Sequence, residues 1–539
     1  MRILREKHYH FSSNLRPISN HTKILERMPI SHGDYLFALI SSLTKAEKRN
    51  FRLYARRIQG EGDLKFLQLF DVLEKQSSYN EEILLRKLKG TSKSQFSNLK
   101  RHLYQHILTS LRLVHLGKRE EIQVREWIDY ADVLYGKGLY IQALKLLARA
   151  KTLAININND LLHLEIVEYE KRIESRHITR SSTERMEGLT EEAYSRSNIS
   201  KTIVELSNFK LILQRRFIND GHVKNPAERL QAEAFFQNSL PRTDRQKLTF
   251  FEKVYLYQTY YWQHYLLQEY DQCLEYAQNW ISLYDNDPRM IQPDVDMFLI
   301  GMHHVLITAF YCRNYPVFSE TLQRLENYRQ EHYHRLDYNS KILSFLFVHQ
   351  ARFNRAFIDG NIQDALRLIP RTLGRIKRYA DLLDPHKVLI FYYKIACTYL
   401  IADKPGLAID FLNKILNAEG KALREDLQAY TQLLFIMAHY DLGNFDLLDY
   451  RIQNAARFVQ RMKDPSLLQK TMLQHFRELL RAAPPQRHQA LQAFLQKVEA
   501  LRAIPTEQRS FIFLDPAPWM LGKLHSRPLS AIIQEQFAP

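Results

Sequence analysis

Residues Trp127–Ala150 read WIDYADVLYGKGLYIQALKLLARA. The stretch predicts two short amphipathic helices joined by a tight turn at Gly138. Trp127, Tyr130, Ala131, Leu134, Ala143, Leu147 and Ala150 fall at the spacings of a helical hairpin that stacks on copies of itself. Small residues at the crossing let the two helix axes approach closely. Such a hairpin cannot bury its apolar face alone, so the expected fold is all-α and built as an α-solenoid. A fold of that kind offers a surface rather than a built-in reaction.

Weaker copies follow downstream. YWQHYLLQEYDQCLEYAQNW places Tyr261 before a turn and Ala277 and Trp280 after it. RAFIDGNIQDALRLI has Gly360 at its turn and Ala365 at the tight crossing. In IACTYLIADKPGLAIDFLNKIL, Ala396, Tyr399, Ala408, Leu412 and Ile415 repeat the spacings of Ala131, Leu134, Ala143, Leu147 and Ala150. FIMAHYDLGNFDLLDYRIQNAA, with Gly443, is a further candidate. The polar, Ser/Thr/Glu-rich segment 181–200 reads as a loop or an exposed helix end. The tail FIFLDPAPWMLGKLHSRPLS, with three prolines, reads as an extended segment capping the last repeat. The expected domains are a flexible lead-in (1–30, interrupted by Pro17 and Pro29), a basic helical domain (31–118), the solenoid (119–503) and an irregular C-terminal tail (504–539).

The basic domain carries its own signals. Thr44 and Glu47 form a capping-box pattern that opens a helix. That helix puts Phe51, Tyr54, Ala55 and Ile58 on one face. Lys45, Lys48, Arg49, Arg52 and Arg56 lie on another, at i,i+3 and i,i+4 steps. Three further helices are expected, at about 62–75, 80–88 and 92–114. The last adds Lys93, Lys100 and Arg101. Of the formal net charge of +17, residues 1–120 hold +12. A localised field of this sign attracts polyanions. The tight helix pattern is compatible with a helix-turn-helix module, whose Ser92, Lys93, Ser94 and Gln95 would approach base edges. RNA is an equal target, with Phe51, Tyr54 and Tyr104 as stacking candidates. The bland alternative is a solvated or protein-docked helix face.

Composition narrows the classes. At 539 residues with only 16 Gly and 18 Pro, neither a Gly-rich nucleotide fold nor long disordered linkers are expected. Cys273, Cys312 and Cys397 form no CxxC pair and read as reduced thiols. No apolar run follows the basic start or reaches membrane-spanning length, so a cytoplasmic protein without membrane insertion is expected. Neither a GxxxxGK[ST] phosphate loop nor an HExxH pair occurs. His303 and His304 are adjacent on a helix and diverge by about 100°, which suits core or surface histidines better than a metal. His332 and His334 lack an acidic or cysteine cluster. Asp285, Asp287, Asp294 and Asp296 read as loop chemistry before a cation site. No cofactor, metal or catalytic residue is expected. Tyr257, Tyr260, Tyr261, Trp262 and Tyr265 fan over roughly half a helix circumference, as a wide interhelix core or a ligand groove requires.

The 124–157 hairpin resembles the tetratricopeptide repeat family through Trp127, Ala131, Gly138, Ala143 and Ala150, and the 395–416 hairpin resembles it through Ala396, Tyr399, Ala408 and Leu412. Leu134 replaces an aromatic often found there, and the family's closing proline is absent at Ile155. SSLTKAEKRNFRLYARR, FLQLFDVLEKQSSYNEE and LKRHLYQHIL together resemble the leader of a set of large uncharacterised helical-repeat proteins from Bacteroidota-type bacteria. The first resemblance implies a groove that holds peptide segments or partner helices; the second implies a fold and no mechanism. The expected function is a non-enzymatic scaffold that binds a protein or peptide partner through its repeat surface. The alternative is a DNA- or RNA-binding regulator acting through the basic N-terminal domain.

Overall fold

A computed structural model of the chain describes residues 32–59, 65–88, 92–117, 119–223, 225–418, 425–462, 465–504 and 507–537. The expected lead-in, 1–30, lies outside the described residues. Among the described residues there are 25 α-helices and no strand. The chain divides into two compact units between Leu153 and Ala154. The strongest sequence hairpin therefore belongs mainly with the N-terminal helices.

In the first unit, α1 (His32–Ser42), α2 (Lys45–Gln59), α3 (Lys65–Glu74), α4 (Glu81–Lys87) and α5 (Lys93–His115) enclose one core. Phe51, Ala55, Phe66, Phe70, Phe96, Leu103 and Ile107 are buried in it. The helix starts follow the sequence signals. The Thr44 amide donates to the Glu47 carboxylate at 2.7 Å, and the Glu47 amide returns a bond to the Thr44 hydroxyl at 3.2 Å. Asn80 caps α4, and Ser92 with Gln95 forms a capping box on α5. Next come α6 (Glu120–Gly136) and α7 (Tyr140–Asn156). Ala131, Ala143, Leu147 and Ala150 are fully buried, and Trp127 and Leu134 are half-buried. Gly138 sits in the turn at φ +78°, where an added Cβ would touch nothing. Its value is its backbone conformation, not close packing. Asn158, at φ 50°, makes the next turn in place of the missing proline.

The second unit contains α8 (Asp160–Arg176), α9 (Thr183–Asp220), α10 (Pro226–Ser239), α11 (Phe250–Leu266), α12 (Tyr270–Asn286), α13 (Val295–Tyr311), α14 (Tyr315–His332), α15 (Tyr338–Ile358) and α16 (Ile362–Arg378). It continues with α17 (Pro385–Ile401), α18 (Pro405–Leu416), α19 (Glu425–Asp441), α20 (Phe445–Arg461), α21 (Leu467–Arg481), α22 (Arg487–Arg502), α23 (Gln508–Phe513), α24 (Ala517–Leu524) and α25 (Leu529–Phe537). From α11 to α22 each helix packs on the next, and α13, α15, α17, α19 and α21 also pack on one another in series. The alternation is written in the residues. In α19 every residue from Leu433 to His439 is buried. Helix α20 buries only the stripe Leu448, Ile452, Ala455 and Val459. Ala396, Ala408 and Leu412 are fully buried where α17 meets α18, and Tyr399 lies half-buried against the Phe411 ring at 5.9 Å.

One turn recurs. Gln268, Arg313, Gly360, Asp403 and Gly443 all have positive φ, at intervals of about 40 to 47 residues. In four of the five, the following residue's amide reaches back to a carbonyl five positions earlier: Glu269 to His264, Asn314 to Ala309, Lys404 to Tyr399, and Asn444 to His439. This is the helix-ending geometry that normally selects glycine.

One expectation resolves and one is corrected. Of a loop or an exposed helix end, the polar segment 181–200 is the latter: from Thr183 it is the mostly exposed N-terminal half of a single helix, α9, 38 residues long. Ser182 caps its start, and nothing in 183–220 breaks it; its polar residues cover solvent-facing positions while Leu189, Ala193 and Ser200 are buried. The tail is likewise helical rather than extended. Its prolines fall before or within the first turn of a helix, as Pro516 and Pro518 do around α24, where they cost no hydrogen bond.

Candidate functional site

The alternate helices of the second unit line one cavity of about 1290 Å³. Its wall is built from α11, α13, α15, α17 and α19, and the C-terminal helices close over it through Arg509, Phe511, Trp519 and Ile533. Four sets of contacts hold this segment. Glu507 accepts from the Leu467 and Leu468 amides at 2.9 and 3.1 Å, satisfying the open N-terminus of α21. Arg509 lies among Tyr265, Tyr270, Asp426 and Tyr430; burial opposes its charge, but these neighbours outweigh burial and hold the guanidinium above its usual pKa. Trp519 is buried against Tyr440 and Phe476, and its indole N–H donates to the Asp441 carboxylate at 3.0 and 3.1 Å. Gln534 donates to the Gly360 carbonyl at 3.1 Å. Gly360 has φ +62°, and a Cβ there would sit 2.6 Å from the Gln534 side chain, so glycine is needed twice over.

The cavity wall also carries polar groups deep in the protein. Lys394 is surrounded by protein, and the part of its side chain that stays accessible lines the cavity. Burial lowers its ammonium pKa to about 8. It donates to Asn354 and lies 5.9 Å from the Phe357 ring centre. His303 stacks on Phe347 at 3.9 Å, and burial pushes its pKa well down; burial likewise drives His304 to about 3. Both histidines are therefore neutral parts of the wall, and among the described residues no group of His, Cys, Asp and Glu could hold a metal ion. Cys397 also lines the cavity, with its thiol raised to about 12 by burial. The three cysteines are free.

The aromatic cluster of α11 divides. Tyr261, Trp262 and Tyr265 line the cavity. Tyr260 stacks on Tyr276 at 4.8 Å, away from it. The acidic cluster resolves into local partners: Asp285 pairs with Arg324, Asp287 with Arg289, Asp294 caps α13, and Asp296 accepts from Ser340.

On α2 and α5 the candidate basic residues separate into two groups. Lys48 pairs with Glu74 at 3.4 Å, and Arg52 binds both Asp71 and Glu74 while lying over the Phe70 ring at 5.0 Å. Burial works against the Glu74 carboxylate, but Arg52 and then Lys48 hold it below its usual range. Lys100 pairs with Glu81 at 2.8 Å and lies over Phe96. Lys45, Arg49, Arg56 and Arg101 are exposed. Lys93 opens α5, but its side chain lies outside the described set. Ser92 and Gln95 are exposed and bond to each other in the helix cap.

Sequence reasoning missed Lys394, Gln350, Arg509 and Trp519. Lys394 had one signal, since it is the lone charge in FYYKIACTYLI, residues 391–401. No protein-family model matches the chain, and no curated protein matches it significantly. Among the described residues no helix is long and apolar enough to cross a membrane.

Proposed function

We propose that residues 154–539 form a tetratricopeptide-like α-solenoid, and that the protein is a non-enzymatic scaffold holding a segment of a protein partner on the inner face of its alternate helices. One observation carries this reading. The chain's own C-terminal helices already lie against that face, anchored by an arginine among tyrosines, a buried tryptophan and a backbone-directed glutamine. Such anchors are the usual means by which a groove holds a peptide. The recurring positive-φ turn supports a repeat, although its interval exceeds the 34 residues of the tetratricopeptide repeat. Kinship with the Bacteroidota helical-repeat set and a cytoplasmic setting belong to the same proposal.

The test uses the full chain carrying Arg509→Glu and Trp519→Ala, which loosen the C-terminal helices. Nuclease-treated native extract should yield a protein partner, captured more strongly than by wild type. A synthetic peptide spanning 507–537 should displace it. Capture lost on nuclease treatment, or indifferent to the peptide, would overturn the reading.

A second reading places nucleic acid on α2. It is favoured by Lys45, Arg49 and Arg56, which share a helix face, are exposed and have no carboxylate partner among the described residues. Three phosphate contacts give a log affinity against log salt slope of about −3. Changing the three residues together to Glu should abolish that binding, and an unchanged slope would exclude the site.

A further inference from the structure

An ammonium has three N–H donors. At Lys394 one goes to Asn354, and among the described residues no carboxylate lies within ion-pair distance. An enclosed cation with two unmet donors is a costly arrangement that a merely structural wall would replace with an apolar side chain. Gln350 lies one turn before Asn354 on the same face of α15, is 8% exposed, and its amide nitrogen has no hydrogen-bond partner. Both residues line the cavity that remains with the C-terminal helices in place. The wall carries apolar residues, Leu343, Leu346, Phe347 and Ile390, and polar ones, Lys387, Asp426 and Arg509 among them.

We propose that this cavity binds an amphipathic carboxylate, of the chemical class of a medium- or long-chain fatty acid. Its two oxygens would lie on the Lys394 ammonium and the Gln350 amide, and its hydrocarbon along Leu343, Leu346, Phe347 and Ile390. One cation and one neutral donor match a single charge spread over two oxygens. A phosphate dianion is ordinarily met by arginine forks or by a nest of free backbone N–H groups. Gln350, Asn354 and Lys394 are mid-helix residues, and the backbone amides beside them are already bonded within α15 and α17. The volume exceeds the 300–1,000 Å³ or so of a typical small-molecule site, so a chain of carbons fits. This inference goes beyond the scaffold reading and needs no partner protein.

The experiment is isothermal titration of the full-length protein with dodecanoate and, separately, with dodecan-1-ol, both below their aggregation limits. Dodecanoate should bind saturably at one site. The alcohol should bind about 10- to 100-fold more weakly, the scale of a charge-assisted hydrogen bond. Lys394→Met should weaken dodecanoate by a similar factor while leaving the alcohol unchanged, and should raise the ligand-free melting temperature. Gln350→Leu should weaken dodecanoate severalfold, and it supplies the mutational test should Lys394→Met not fold. No saturable dodecanoate binding, equal affinity for acid and alcohol, or undiminished dodecanoate binding by both variants would overturn the proposal. Neither result bears on peptide capture, so the two readings fail separately.

Discussion

The cations of α2 and the cation of α17 make opposite use of the same chemistry. Arg52 and Lys48 stand at the protein surface and answer the carboxylates of Asp71 and Glu74, so their charge closes a local network. Lys394 stands deep in the second unit and answers only an amide. The first group accounts for part of the basic character visible in composition, yet it is partly neutralised in place. The second is invisible in any charge count. Net charge therefore locates where a protein is basic, while burial without a counter-ion locates where it is incomplete.

The largest expected effect separates the interiors of the two units by pH. Burial lowers His222, His304 and His349 to about 3 in the second unit, with nearby cations adding to the effect. The unfolded chain takes up these protons near pH 6.5, whereas the native state refuses them until about pH 3. Stability should therefore fall as pH drops through that window, by about 1.4 kcal/mol per pH unit for each histidine. In the first unit, burial and the neighbouring His102 lower His106, and no histidine among the described residues there is buried. Urea titrations at pH 7, 5.5 and 4.5, read by pulsed hydrogen exchange, should show α11–α22 losing protection before α2–α5 as the pH falls. Equal acid sensitivity of both units would break the contrast.

The next effect is confined to one end of the second unit. Trp519→Ala removes a buried ring and its bond to Asp441, and should destabilise the C-terminal helices by roughly 3–5 kcal/mol. Hydrogen exchange should quicken across 507–537 and stay unchanged in α13. Uniform quickening would mean that these helices unfold only with the whole unit.

The smallest effect is at the surface. Arg52→Ala breaks half-exposed ion pairs and should cost no more than about 1 kcal/mol in urea unfolding, less at high salt. A larger loss would mean that the network, and not the Phe51 and Phe70 core, holds α2 in place.

Helices were legible in this sequence wherever a cap or a small residue announced them. Thr44 with Glu47, and the alanines at 131, 143, 396 and 408, behave as their spacing suggests. The α13–α14 hairpin escaped because its turn residue is Arg313, at φ 54°, and Phe318 stands where the other hairpins put Ala143 and Ala408; the turns at Gln268 and Asp403 also lack glycine, but their flanking small residues announced them. A search for glycine finds only Gly360 and Gly443 in this series. The continuity of α9 escaped because a polar solvent face reads like a loop. Of the cavity only the aromatic run Tyr261, Trp262 and Tyr265 was legible; Lys394, Gln350 and Arg509 lie on helices separated in sequence and come to one cavity only through packing.

Gly360 receives its hydrogen bond from Gln534, 174 residues later. During synthesis at roughly 5–20 residues per second, the inner helices emerge some ten to thirty seconds before the segment that covers them. For that interval the nascent chain displays a bare aromatic wall, which makes the ribosome-bound form the one most in need of a chaperone.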